Sequence, residues 1–243
     1  MNTMIHYATP EWIATLFSIF IPLPFILLSF LAKKGAPSSE KQNSYFWRTL
    51  GFYACYLIYI YVASVQGFFS RVSLPPTVLL LTTFPYAFFL FVIVAKSDFY
   101  KNIFEKIALQ DLVKIHIFRL LGVFFILLAL HDALPKAFAW IAGMGDIITA
   151  VTSIFVAQAI VNQNVNAQKW TKIWNIFGAI DIMFTAVAAN VLTKISIDTG
   201  AMGVDTLARF PFCIIPAFAP PTILFLHYVI FKKMKSGSMS FSS

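Results

Sequence analysis

The sequence predicts an all-α fold: a polytopic transmembrane bundle of seven helices, with the N-terminus outside and the C-terminus in the cytoplasm. Three observations predict it. Of the 243 residues, 59% are hydrophobic and only 12% are charged, against ~25% charged in a soluble domain. The apolar residues fall into seven continuous runs, each close to the roughly 20 residues that a helix needs to cross the hydrocarbon of a bilayer. The basic residues between the runs are divided very unequally, as the positive-inside rule requires of a membrane protein. Composition alone excludes a cytosolic enzyme, a disordered chain and a nucleic-acid reader, because a soluble globule has too little polar surface to cover so much apolar material.

The runs span residues 12–32, 46–69, 76–95, 112–130, 137–161, 170–193 and 210–231. None shows the in/out alternation of a membrane barrel, and backbone groups in lipid must bond within their own segment, so each run is read as a helix. The first run has no charge, carries Trp12 at one end and holds Pro22 and Pro24. The connection after it, KKGAPSSEKQNSY at 33–45, is rich in turn formers and charge. The second run has Trp47 near its start and carries Tyr56, Tyr59 and Gln66 on one side; the third holds Pro85. A mixed-charge connection, 97–111, leads to the fourth run, which contains Arg119 and His116. In the fifth, Asp146, Thr149 and Ser153 share a face at helical spacing; in the sixth, Trp174, Gly178, Asp181 and Thr185 do the same. A connection with Gly200 and Gly203 precedes the seventh run, where Pro216, Pro220 and His227 share a side. Residues 1–231 are thus read as a single seven-helix domain and 232–243 as a short basic, Ser-rich cytoplasmic tail.

Orientation follows from the basic residues. One side has Lys33, Lys34, Lys41, Arg48, Lys96, Lys101, Lys106, Lys114, Lys169, Lys172, Lys232, Lys233 and Lys235; the other has only Arg71, Lys136, Lys194 and Arg209. The first side is assigned to the cytoplasm. The formal net charge of +8 is therefore a topology signal and points to no nucleic-acid partner. Trp12, Trp47, Trp170 and Trp174 fall at predicted helix ends, where indole rings favour the headgroup layer. No basic residue precedes the first run, so it lacks the charged region of a signal peptide and is expected to remain in the mature protein. Cys55 and Cys213 both lie in apolar runs and form no disulfide pattern.

An ionisable group inside a spanning helix is costly and is a functional hypothesis by default. At ~1.5 Å of rise per residue, Arg119 lies about 10 Å in from the cytoplasmic end of its run, Asp181 about 16 Å in from the same side, and Asp146 about 13 Å below the outer boundary. The three are near one level. Short connections make neighbours of their helices. Candidate ion- or substrate-binding residues are accordingly Asp146, Asp181, Arg119, His116, His227, Thr149, Thr185 and Tyr59. In the transport reading, the two carboxylates bind or exchange an ion or proton, Arg119 is their countercharge, and the histidines pass protons toward the cytoplasm. Bent proline-containing helices also free carbonyls that could bind a cation. In the structural alternative, the same charges only hold helices together. A haem held between His116 and His227 is a further alternative. Motifs of soluble catalysis such as HExxH, the P-loop and GxSxG are absent, and no enzyme activity, metal or other cofactor is expected.

Seven helices with an external N-terminus resemble microbial rhodopsins. That resemblance implies a lysine in the middle of the last helix to carry a retinal Schiff base, and here no lysine occurs in that run before Lys232. Arg119-Leu-Leu-Gly122, Leu134-Pro135, Gly143-Met-Gly-Asp146 and Trp174-Asn-Ile-Phe-Gly178-Ala-Ile-Asp181, together with Pro220 and His227, resemble a family of small bacterial integral membrane proteins with no assigned function. The shared patterns are RxxG, GxGD and WNxxGxxD. The resemblance implies a bacterial inner (plasma) membrane location, with the lipid bilayer as partner, and brings no reaction or ligand.

Overall fold

The computed structural model describes residues 9–71 and 73–236. The Ser-rich end of the expected tail, 237–243, lies outside them. Among the described residues the chain is all-α, with no strand. Six helices are long and apolar enough to cross a membrane: α1 (Glu11–Lys34), α2 (Ser39–Val65), α4 (Leu109–Leu130), α5 (Lys136–Val161), α6 (Ala167–Thr199) and α7 (Ile214–Lys235). The third expected run forms a shorter apolar helix, α3 (Leu79–Val94). The protein is a multi-pass membrane protein.

Helices α4 and α7 form the centre. α5 lies along the length of α4 and packs on α6, and α6 in turn packs on α7. α1 pairs with α2 and touches α4, while α7 also backs α3. Outward faces stay apolar. Ile148, Ile154 and Phe155 on α5, and Ile180, Met183, Phe184 and Val187 on α6, are all exposed. A surface of that kind is stable against acyl chains and not against water.

The inward face of α5 is made of small residues: Ala139, Ala142, Gly143, Gly145, Thr149, Ala150 and Ser153 are all buried. Small residues let backbones approach closely where lipid supplies no hydrophobic drive for association. Buried hydroxyls mostly return to the carbonyl one turn back in their own helix. Ser29 bonds the Phe25 carbonyl at 2.7 Å, Thr149 that of Gly145 at 2.8 Å and Thr171 that of Ala167 at 2.7 Å.

Two departures from regular helix shape the bundle. α3 is wound as π-helix over Leu79–Thr83 and Phe89–Val94, which shortens it. In α4 the eight residues Ile115–Gly122 are 3-10 helix. With three residues per turn, side chains at i and i+3 eclipse, so His116, Arg119 and Gly122 line up in one row.

The prolines explain how α2, α3 and α7 join. A helical proline has no N–H and leaves the carbonyl four residues back without its donor. Pro85 frees Leu81, and the Tyr59 hydroxyl of α2 donates to that carbonyl at 2.9 Å. Pro220 frees the carbonyl of Pro216, and Thr83 of α3 donates to it at 2.7 Å. Pro221 frees that of Ala217, and Tyr56 of α2 donates to it at 2.9 Å. Three freed carbonyls thus become three interhelical bonds. They are taken by hydroxyls, which corrects the expectation that they stand open to a cation.

At the Lys-rich end, a short helix (Asp98–Phe104) that the sequence does not announce fills the third connection. Lys34 pairs with Asp111 at 2.5 Å, and Lys233 donates to the Glu105 carbonyl at 2.8 Å. α7 continues to Lys235, so the first residues of the expected tail are helical. At the other end, Thr206 donates to the Ala133 carbonyl at 2.7 Å.

Candidate functional site

The 3-10 row of α4 meets the small-residue face of α5, and the site is built at that seam. Arg119 is 2% exposed and its guanidinium forks between two helices. Nε donates to Asp146 Oδ1 of α5 at 2.7 Å, and Nη2 donates to Asp181 Oδ2 of α6 at 2.5 Å. Nη1 donates to the Gly178 carbonyl at 3.2 Å and faces His227 Nε2 of α7 at 3.4 Å. Four of the five N–H donors that a guanidinium carries thus have acceptors on three helices.

The proton on His227 follows from its neighbours. The Asn175 side-chain amide donates to the His227 carbonyl at 3.1 Å, which leaves its Oδ1 as the acceptor 2.8 Å from His227 Nδ1. Nδ1 therefore carries the proton, and Nε2 offers its lone pair to Arg119. Asn175 is a contributor to the site that the sequence shows within a motif but does not single out. The signal that marks it is its place on the buried face of α6, beside Trp174 and close before Gly178.

Three of the four motif glycines share one purpose; a Cβ on the fourth, Gly143, would meet the Gly122 carbonyl and Ile126 of α4. A Cβ on Gly122 would run into the Cβ of Asp146; one on Gly145 would overlap the Asp181 carboxylate; one on Gly178 would lie 2.7 Å from both Cε1 and Nε2 of His227. Each of these three makes room for one partner of Arg119. The patterns RxxG, GxGD and WNxxGxxD are, in physical terms, one steric arrangement around a guanidinium.

His116 completes the row. Its ring is fully buried, 4.4 Å from that of His227 and edge-on to Trp174 at 5.0 Å. Neither of its ring nitrogens has a hydrogen-bond partner among the described residues. A buried polar group in that condition costs about 1–3 kcal/mol. His116→Phe keeps a ring against His227 and Trp174 and removes the two nitrogens, so it is expected to raise the thermal unfolding midpoint in detergent. An unchanged or lowered midpoint would show that the imidazole is satisfied.

Other expected members lie elsewhere. Thr149 adjoins the cluster, but its hydroxyl is turned back to Gly145; its carbonyl accepts the Trp174 indole N–H at 3.1 Å. Thr185 is half-buried one turn past Asp181 and makes no hydrogen bond to the cluster. Tyr59 is exposed on α2 and bonds Leu81, away from the charges. Trp174, expected at the membrane interface, is instead 5% exposed and packed on His116, because α6 extends beyond the expected run and places this turn inside the bundle.

The haem alternative fails on geometry. Two axial imidazoles must approach an iron end-on from opposite faces of a porphyrin. Here the rings lie against each other at 4.4 Å, tilted by 36°, so no porphyrin fits between them, and both nitrogens of His227 are engaged.

A small cavity of about 50 Å³ touches Arg119 and Asp146; its other walls include Phe17, Phe118 and Phe218. A water needs about 10–15 Å³ of such space, so a few can reach the ion pair on this flank.

Comparison with known proteins adds a family and no activity. The family described as Domain of unknown function (DUF8737) matches residues 75–234, about two thirds of the chain and all of the charged cluster. No curated protein and no solved structure matches.

Proposed function

We propose that this chain, which belongs to the Domain of unknown function (DUF8737) family, crosses the inner (plasma) membrane of a bacterium seven times and moves protons, other cations or a small solute across it. In this reading α3 is the seventh crossing. The N-terminus lies outside and the Lys-rich ends face the cytoplasm, as the distribution of Lys and Arg supports.

One observation carries the transport reading. A single guanidinium is held by two carboxylates, so with both ionised and His227 neutral the cluster is one positive charge short. A net charge deep in a bundle is expensive. The arrangement is relieved by binding one proton or one small cation, and releasing it restores the deficit. That is the property of an exchange site. Asp146 and Asp181 share the added charge. Arg119 keeps at least one of them ionised, because an opposite charge within about 4–6 Å favours the charged form. His227 and His116, stacked toward the cytoplasmic side, extend the polar row from the carboxylates. The cavity beside Asp146 supports access by water.

Protons are the probe for the test. Full-length protein is reconstituted into liposomes that hold a pH-sensitive dye, and flux is driven by a potassium diffusion potential. Wild type is expected to conduct, and Asp146→Asn and Asp181→Asn each to reduce the initial rate by about tenfold or more, the scale of a 1.4 kcal/mol effect. Undiminished flux in variants that elute and unfold like wild type would remove the carboxylates from the mechanism.

A second reading rests on a different observation: the guanidinium is nearly saturated by its partners, and the walls around it are mostly apolar. A scaffold or accessory subunit would use such a cluster only to fix the packing of α4, α5, α6 and α7.

A further inference from the structure

A second cavity lies apart from the charges. α2 and α3 are joined by the hydroxyls of Tyr56 and Tyr59, in the half of the bundle remote from the Lys-rich end. Toward the Lys-rich end the two helices part, and a cavity of about 450 Å³ opens between them, α1 and α7. Its walls are apolar, with Leu28, Phe52, Leu90, Ile93 and Phe225 among them. It is closed at mid-bundle by Tyr53, Tyr86 and Thr222, whose hydroxyls bond one another at 3.2 Å. Ile103 and Phe104, in the short helix of the third connection, line it toward the Lys-rich end. The cavity wall follows α3 from Tyr86 to Val94 and reaches Ser97 just beyond it.

Its volume is that of a ligand site, ~300–1,000 Å³, and its chemistry is lopsided. The three hydroxyls at the closed end satisfy one another and leave little for a polar ligand. The cation of the lining is Arg48, one and a half turns toward the Lys-rich end from Tyr53. It is exposed and makes no ion pair among the described residues. A guanidinium without a partner at the mouth of a long apolar slot fits a carboxylate, which it can hold bidentately, with an alkyl chain behind it.

We infer that this slot binds a long-chain fatty acid, with the chain between α2 and α3 and the carboxylate on Arg48. A single slot with a single cation in its lining matches a single chain with a single anionic end. The ligand enters from the leaflet at the Lys-rich end, where the mouth lies. The site is independent of the buried charge cluster.

The test uses full-length protein in nanodiscs of zwitterionic lipid and a fluorescent fatty acid, dansyl-undecanoate, as probe. Saturable binding is expected, with displacement by oleate and at least tenfold weaker displacement by oleyl alcohol, which lacks the charge. Arg48→Gln, at an exposed position, is expected to weaken binding tenfold or more. Leu90→Trp, which fills the slot, is expected to abolish it, and Asp146→Asn to leave it unchanged. Absence of saturable binding, or equal affinity in Arg48→Gln, overturns the proposal. Displacement by added phosphatidylglycerol as effective as that by oleate also overturns it and assigns the slot to a phospholipid chain.

Discussion

Arg119→Leu is expected to be the most damaging single substitution in the protein. The side chain is fully buried and its charge is shared by Asp146 and Asp181. Removing one partner of a buried ion pair costs about 3–5 kcal/mol, because the other is left uncompensated; here two carboxylates are left. Thermal unfolding in detergent reads the effect. The same physics predicts the order of recovery. Arg119→Leu/Asp181→Leu still strands Asp146 and remains destabilised. Arg119→Leu/Asp146→Leu/Asp181→Leu removes all three charges and is expected to return to wild-type stability or exceed it, since apolar replacement of a buried ionic cluster is often neutral or favourable. A triple variant as unstable as Arg119→Leu would show that the charges are not what Arg119 contributes. The triple variant also separates the two readings of function. If it is stable and loses proton flux, the charges serve transport; if flux is unchanged, they serve packing.

The second large effect is expected from the smallest change. Gly145→Ala adds one methyl group to α5 where the Asp181 carboxylate of α6 now lies. Overpacking alone costs about 1–3 kcal/mol, and here relief requires Asp181 to swing off Arg119, which opens the ion pair as well. The loss should therefore exceed that of the same substitution elsewhere on α5. Its cause can be isolated with a double-mutant cycle. In an Asp181→Ala background the collision is gone, and Gly145→Ala should cost much less than it does in wild type; two contacting residues couple by about 0.5–3 kcal/mol in such cycles. Additive losses would mean that the methyl group is accommodated some other way.

The apolar runs are legible because lipid demands continuous hydrophobicity and leaves few ways to write a crossing. That Arg119, Asp146 and Asp181 lie at one level is legible for a related reason: a rise of ~1.5 Å per residue turns sequence position into depth. The row formed by His116, Arg119 and Gly122 is not. Its alignment depends on 3-10 winding between Ile115 and Gly122, and an apolar segment carries almost the same residues whether it winds with three or 3.6 per turn. α3 reads at full length because its composition does not reveal π-helix, which shortens it. Tyr59 reads as part of a polar stripe near the site. Its hydroxyl is committed to Leu81, a demand created by Pro85 on another helix and visible only when the two are side by side. Trp174 reads as a headgroup residue because a tryptophan at the edge of an apolar run looks the same whether the helix stops there or continues.

The three carbonyls released by Pro85, Pro220 and Pro221, each taken by a hydroxyl from a different helix, have a consequence for how this sequence can drift over time. Neither partner is free to change alone. Loss of the hydroxyl of Tyr59, Thr83 or Tyr56 strands an acceptor in hydrocarbon; loss of the matching proline restores the acceptor's own donor and makes the hydroxyl a surplus polar group. Inheritance is therefore tied in pairs across helices that are far apart in the chain, and the tertiary arrangement of α2, α3 and α7 is recorded in which prolines keep company with which hydroxyls.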